Sequence, residues 1–201
     1  SNFKASANST WVNDSTKQPD WDGADGSGAN CEGVYLAANG VTVIASGGAV
    51  SGTEYSLNGV SYLVVADKAA LITAYDASRN MATVVTTKVT DLSNIFLDKS
   101  TFNENIGSWD TSNVTDMSKM FKSASDFNQN IGNWDTSSVS NMSEMFNGAM
   151  AFNQDLSGWC VQSNFSSEPY DFNPSANEAW RTDSSKQPDW DGADGSGANC
   201  N

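Results

Sequence analysis

The chain has 201 residues and a net charge of −14, from 24 acidic and 10 basic side chains and no histidine. Phosphate backbones are bound through lysine and arginine, so nucleic acid and anionic membrane surfaces are poor partners. The missing histidines remove the commonest general base and the commonest transition-metal ligand.

No apolar run is long enough to span a bilayer, and nothing at the start has the form of a signal peptide. The chain opens at Ser1-Asn2-Phe3 without an initiator methionine, which reads as a piece of a longer protein. Residues 1–40 form a junction rich in Gly, Asp and Ser, with Trp11, Pro19 and Trp21. PDWDGADGSGAN has no helical or strand period and reads as loop. This junction has a twin at 172–200: FKASANSTWVNDSTKQPDWDGADGSGANC against FNPSANEAWRTDSSKQPDWDGADGSGANC, at a constant offset without gaps. Two copies of one linker imply a parent built of tandem modules, with neighbouring modules of the same chain as partners. The competing reading pairs the two ends as one element.

Residues 41–88 are expected to form an N-terminal cap of ββα type. Val41-Thr42-Val43-Ile44 is a short β-prone run after an Asn39-Gly40 turn signal. Asn58-Gly59 stands between two alternating β-prone runs and predicts a hairpin. Asp67 predicts an N-cap for a helix whose Leu71, Ile72 and Tyr75 share a face. A strand over 81–87 follows.

Residues 89–160 repeat with a period of 25. Lines 101–125 (TFNENIGSWDTSNVTDMSKMFKSAS) and 126–150 (DFNQNIGNWDTSSVSNMSEMFNGAM) are followed by AFNQDLSGW and preceded by VTDLSNIF. Such a period predicts a solenoid. Leu92/Met117/Met142, Ile95/Met120/Met145, Phe96/Phe121/Phe146 and Ala124/Ala149 keep i, i+3, i+4, i+7 spacing and predict one short helix per coil. FNxxIGxWDTS predicts one short strand. The expected fold class is α/β, a short solenoid with an N-terminal cap. Residues 161–201 are the C-terminal capping segment and junction. Asn103, Asn128, Asn153, Asp110 and Asp135 recur at coil corners, where such side chains satisfy backbone groups left by the turn.

FNQNIGNWDTSSVSNMSEMF, closed by FNQDLSGWCV, resembles the BspA-type leucine-rich-repeat-like surface proteins of bacteria. The same 25-residue repeat is found in mycoplasma surface lipoproteins. NGVSYLVVADKAAL…TTKVTDLSNIF and the closing W-C-V…SEP…KQP-W…C are similar to the flanks of such arrays. The resemblance covers roughly residues 55–190. It implies the right-handed leucine-rich-repeat handedness, a secreted or cell-surface location, and adhesion or protein binding. The closing segment departs from the family's pattern: it is lengthened here to PDWDGADGSGANC.

Cys160 follows the last coil's Trp159, and Cys200 closes the C-terminal segment. A Cys160–Cys200 disulfide would staple the tail over the stack end and leave Cys31 unpaired; Cys31–Cys160 is the competing pair. Asp20, Asp22 and Asp25, with twins Asp189, Asp191 and Asp194, alternate with glycines as Ca²⁺ ligands do. They lack the distal glutamate of a full calcium loop, and a plain acidic turn is the competing reading. Ca²⁺ is the only cofactor candidate, and none is required.

No nucleophile–base set or phosphate loop is present, and the carboxylates are either repeated or in linkers. The expected function is therefore a non-catalytic module of a tandemly repeated surface protein, acting on a protein or cell-surface ligand. Ser108 and Asn133 lie on the face expected to be flat, with Gly107, Gly132, Ser157 and Gly158. Trp21 and Trp190, with Trp11 and Trp180, would serve an alternative role as sugar-stacking platforms. A purely structural, Ca²⁺-stiffened stalk is a further alternative.

Overall fold

The structure is a computed structural model and describes residues 33–161 and 165–190. Its first part carries two small sheets. Strands β1 (Val34–Leu36) and β2 (Val43–Ala45) pair antiparallel. Strand β1 thus lies in the stretch read as junction, because its partner reaches back across residue 40. Asn39 organises the connection: its Oδ1 accepts from the N–H of Val41 and Thr42.

Strands β3 (Glu54–Leu57) and β4 (Val60–Val64) form the second hairpin. Its two loop residues, Asn58 and Gly59, have φ of 52° and 81°. Positive φ at both centres is the turn whose twist matches the flanking strands, and Asn-Gly is the cheapest pair to place there. Helix α1 (Lys68–Asp76) is capped by Asp67, whose Oδ1 accepts the Ala70 N–H at 2.9 Å. Asp67→Ala is expected to cost about 1 kcal/mol of stability, read as a lower urea midpoint at unchanged slope.

Leu71 and Ala74 form the buried face of α1, with Tyr75 beside them, while Ile72 is exposed. Strand β5 (Val84–Val85) then pairs parallel to β4. The strand expected over 81–87 shrinks to these two residues because Met81–Thr83 turn in a 3-10 coil capped by Asn80. That turn buries the Met81 side chain and presents its carbonyl to Trp109 Nε1–H.

From Val89 onward the chain lays equivalent residues above one another. The 25-residue units are joined by two isolated parallel bridges, Asp91–Asp116 and Asp116–Asn141. No continuous strand forms in them. No helix forms either: residues 92–99, 117–124 and 142–149 run as successive turns. Each turn has a left-handed residue at Asn94, Lys119 and Glu144 (φ 59°, 57° and 58°) and again at Asp98, Ser123 and Gly148 (58°, 61° and 81°). The reason is where the amides go. A helix would send each N–H four residues back. Here the N–H groups of Leu92, Asn94, Phe96 and Asp98 cross to the carbonyls of Asp116, Ser118, Met120 and Lys122, and the next unit repeats the pattern. Inter-coil bonds replace the helical ladder, yet the apolar positions still face inward.

The core is a set of aromatic columns. Phe96, Phe121 and Phe146 stack at 5.8 and 5.5 Å, Phe102, Phe127 and Phe152 at 5.7 Å, and Trp109, Trp134 and Trp159 at 6.3 and 6.4 Å. All these rings lie within 20° of parallel. At both ends the geometry turns edge-on. Tyr75 meets Phe96 and Phe102 at 74° and 73°. Phe172 meets Phe146 at 82°, and Trp180 meets Phe152 at 88°. An edge-on ring covers the last π-face without offering another, so the column ends there.

One ion-pair cluster links neighbouring coils. Glu144 pairs with Lys122 and, at 3.3 Å, with Lys119. The Lys122 hydrogen bond holds the Glu144 carboxyl below its ordinary value of 4.5. A lowered folded value means the contribution is present above pH 4.5 and is lost as pH falls through the folded value. Glu144→Gln is therefore expected to lower the melting temperature at pH 7, with the gap to the wild type closing in melts taken below the folded pKa.

Candidate interaction surface

Two coils turn a corner at Trp-Asp-Thr-Ser, at 109–112 and 134–137, and each corner consumes its own polar groups. Asp110 Oδ1 accepts from the Ser112 N–H and hydroxyl at 3.2 and 2.7 Å. Asp135 does the same with Ser137. The Thr86, Thr111 and Thr136 hydroxyls each donate to the carbonyl of the next coil, at Asp110, Asp135 and Cys160. The Trp109, Trp134 and Trp159 indoles donate back to Met81, Ile106 and Ile131. Asn103 and Asn128 accept from the Asn128 and Asn153 amides and from Gln129 and Gln154. The aspartates therefore close each corner, while the threonines, tryptophans and asparagines hold coil to coil.

The β1–β2 hairpin leans against the first of these corners. The Val43 N–H donates to the Ser108 carbonyl at 2.9 Å. Between hairpin and corners lies a cleft of about 180 Å³, lined by Asn39, Thr42, Ile44, Trp109, Ser112 and Asn133 among others. Asp110 and Asp135 contribute to its wall. Sites for small molecules run to roughly 300–1,000 Å³ and are mostly apolar. This cleft has room for a protruding side chain or loop tip of a larger partner.

The two expected binding positions part company here. Asn133 is exposed and lines the cleft. Ser108 is half-buried under the hairpin, its carbonyl taken by Val43 and its hydroxyl donating to Ala82. The face expected to be flat is also different in kind. A Cβ on Gly107 would stand 2.8 Å from the Asn130 carbonyl oxygen, and one on Gly132 would stand 2.7 Å from that of Asp155. Those glycines permit coil approach instead of presenting a smooth surface. Ile44 and Thr42, the cleft's other wall, were missed in the sequence. Nothing local says that a hairpin sixty residues upstream docks at Trp109.

Of the tryptophans named as sugar platforms, the structure corrects Trp180. Trp180 is fully buried, donating from Nε1 to the Gln154 carbonyl at 2.7 Å. Trp190 packs edge-on against Phe165 and Phe172. Trp180 is thus spent on the core, and Trp190 is partly buried against it. Trp11 and Trp21 lie outside the described residues. Of the six aspartates expected to hold Ca²⁺, Asp189 is buried at 8% exposure. Asp20, Asp22, Asp25, Asp191 and Asp194 lie outside the described residues, and the calcium expectation with them. Cys160 is disulfide-bonded. Cys31 and Cys200 are outside the described residues, so the choice of partner stands as it did from sequence.

A family model described as "Mycoplasma protein of unknown function, DUF285" matches residues 68–183, more than half of the chain. No characterised protein and no solved structure matches the chain.

Proposed function

The chain belongs to that DUF285 family of mycoplasma proteins, and from this premise we propose that it is a non-catalytic module of a tandemly repeated cell-surface protein. In this reading the coils are a right-handed, leucine-rich-repeat-like solenoid of BspA type, with residues 41–88 as its N-terminal cap. The module is extracellular and rigid, and it acts in adhesion or protein binding. The carrying observation is the division of labour among its polar groups. The repeated aspartates, asparagines and threonines are bonded within the coils, while the non-repeating wall of Ile44 and Asn133 lines the hairpin cleft. Rigid coils that present a non-repeating wall suit a macromolecular partner. The burial of Trp180 and the packing of Trp190 count against the sugar-binding alternative.

The test is direct binding of labelled protein to cultured host cells and to an array of matrix proteins and glycans. Saturable binding to a protein is expected, reduced at least about tenfold by Asn133→Arg, since a bulky charge at an interface core is strongly disfavoured. The melting temperature of that variant should stay within about 1 °C, because exposed substitutions cost little. Saturable binding that Asn133→Arg leaves unchanged would move the site elsewhere. Binding only to glycans would overturn the protein-partner reading.

A further inference from the structure

The C-terminal cap is a segment seated on the last coil by a small set of contacts. The Phe146 N–H donates to the Phe172 carbonyl, and the Leu156 N–H to that of Lys186. Trp180 enters edge-on over Phe146 and Phe152. Asn177 caps α2 (Glu178–Arg181) through Oδ1, which accepts the Trp180 N–H. Lys186 Nζ reaches Asn153 Oδ1 at 2.9 Å, continuing the asparagine column. Gln187 Nε2 donates to the Trp180 carbonyl at 2.8 Å.

The sequence holds this segment twice. Phe3, Asn8, Trp11, Lys17, Gln18 and Trp21 are the counterparts of Phe172, Asn177, Trp180, Lys186, Gln187 and Trp190, all identical and at one offset. The differences between the two copies fall elsewhere. Pro174, Glu178, Ala179, Arg181, Thr182 and Ser185 are replaced, and all six are exposed in the seated copy. Asn173, replaced by Lys4, is the one buried position that changes. Every side chain named above as seating the cap is therefore present in both copies, and the described structure has one such seat filled, by residues 172–190.

We infer that the coil end at Phe146 and Phe152 is an exchangeable seat that also accepts residues 3–21 of a second copy of this chain. The argument is independent of the adhesion reading, since it rests on the seat and on the duplicated segment. The chain's own cap wins in the isolated protein, because a short tether gives an effective concentration of roughly millimolar. Weakening that cap lets the second copy's segment compete. Seat and incoming segment are different stretches of the chain, so exchange joins one copy to the next, and a reciprocal exchange closes on two. In a tandem array the same exchange would join neighbouring modules.

The experiment compares full-length Trp180→Ala, Trp11→Ala and the double variant by light scattering over a concentration series. Wild type and Trp11→Ala should remain at the monomer mass of 21.4 kDa. Trp180→Ala should rise with concentration to at least about twice that mass, as expected for segment exchange. The double variant should fall back to the monomer. Trp180→Phe covers the case in which alanine unfolds the coil end: it keeps a ring in the seat and loses only the bond to Gln154, and its association should again depend on Trp11. Association of the double variant equal to that of Trp180→Ala would mean that an uncovered apolar end simply sticks, and the inference fails. It fails equally if the folded Trp180 variants stay monomeric throughout.

Discussion

Phe121→Ala is expected to lower the melting temperature by roughly 10–15 °C. Phe121 is fully buried in the middle coil. It lies 3.8 Å from Phe127 ring to ring, with Phe96 and Phe146 at 5.8 and 5.5 Å on either side and Trp134 at 6.3 Å. Removing a buried phenylalanine costs about 3–5 kcal/mol through lost transfer energy and the cavity left behind. In a domain of this size about 1 kcal/mol moves the midpoint by roughly 2–4 °C. The hole cannot collapse readily, because Phe127 and Trp134 are held in columns of their own and Phe96 and Phe146 by the coils on either side. Phe121→Leu keeps most of the volume and should cost about 1.5 kcal/mol or less. Melting and urea curves for the pair decide the matter. An alanine loss below about 1 kcal/mol would show that the columns do not hold the coils together.

Gly132→Ala is the second large effect, and its origin is opposite: an atom added, with no space for it. The new Cβ would stand 2.7 Å from the backbone oxygen of Asp155. A backbone carbonyl cannot rotate away as a side chain can, so the two coils must part locally. Overpacking of this kind costs about 1–3 kcal/mol, and occasionally more. That corresponds to a fall of about 3–10 °C. Gly59→Ala is the informative contrast, since space around Gly59 is open and only its φ of 81° opposes the change. If Gly132→Ala melts with the wild type, the close approach of the coils at this corner is wrong.

The two substitutions separate what is local from what is not. The period of 25 is written in the residues, and so is the identity of the inward set. Val114, Met117, Met120, Phe121 and Ala124 could be named as buried from spacing alone, and each is. The Asn58-Gly59 hairpin and the Asp67 cap were legible for the same reason, since each depends on two to four neighbouring residues. The helix expected in each coil was not found, although its apolar spacing is present. The amides of Leu92, Asn94 and Phe96 bond across to the next coil, and left-handed residues at Asn94 and Asp98 make that possible. Spacing reports which side chains go inward, and it is silent on which carbonyl receives each N–H.

The cleft shows the same limit. Asn133 was picked out as an outward position of its coil, and it does stand at the cleft. Its opposite wall, Ile44 and Thr42, comes from a hairpin that docks through Val43 onto Ser108. By itself the sequence determined the repeat, the buried columns, the short turns and the duplication of the end segment, because these are carried by identity and near-neighbour spacing. Only the tertiary structure decided the backbone path of each coil, the burial of Trp180, the partial burial of Ser108 and Trp190, and the seat of the cap. Those outcomes depend on hydrogen bonds and ring contacts between residues distant in the chain, such as Leu92 with Asp116 and Phe172 with Trp190, and no local pattern encodes such pairings.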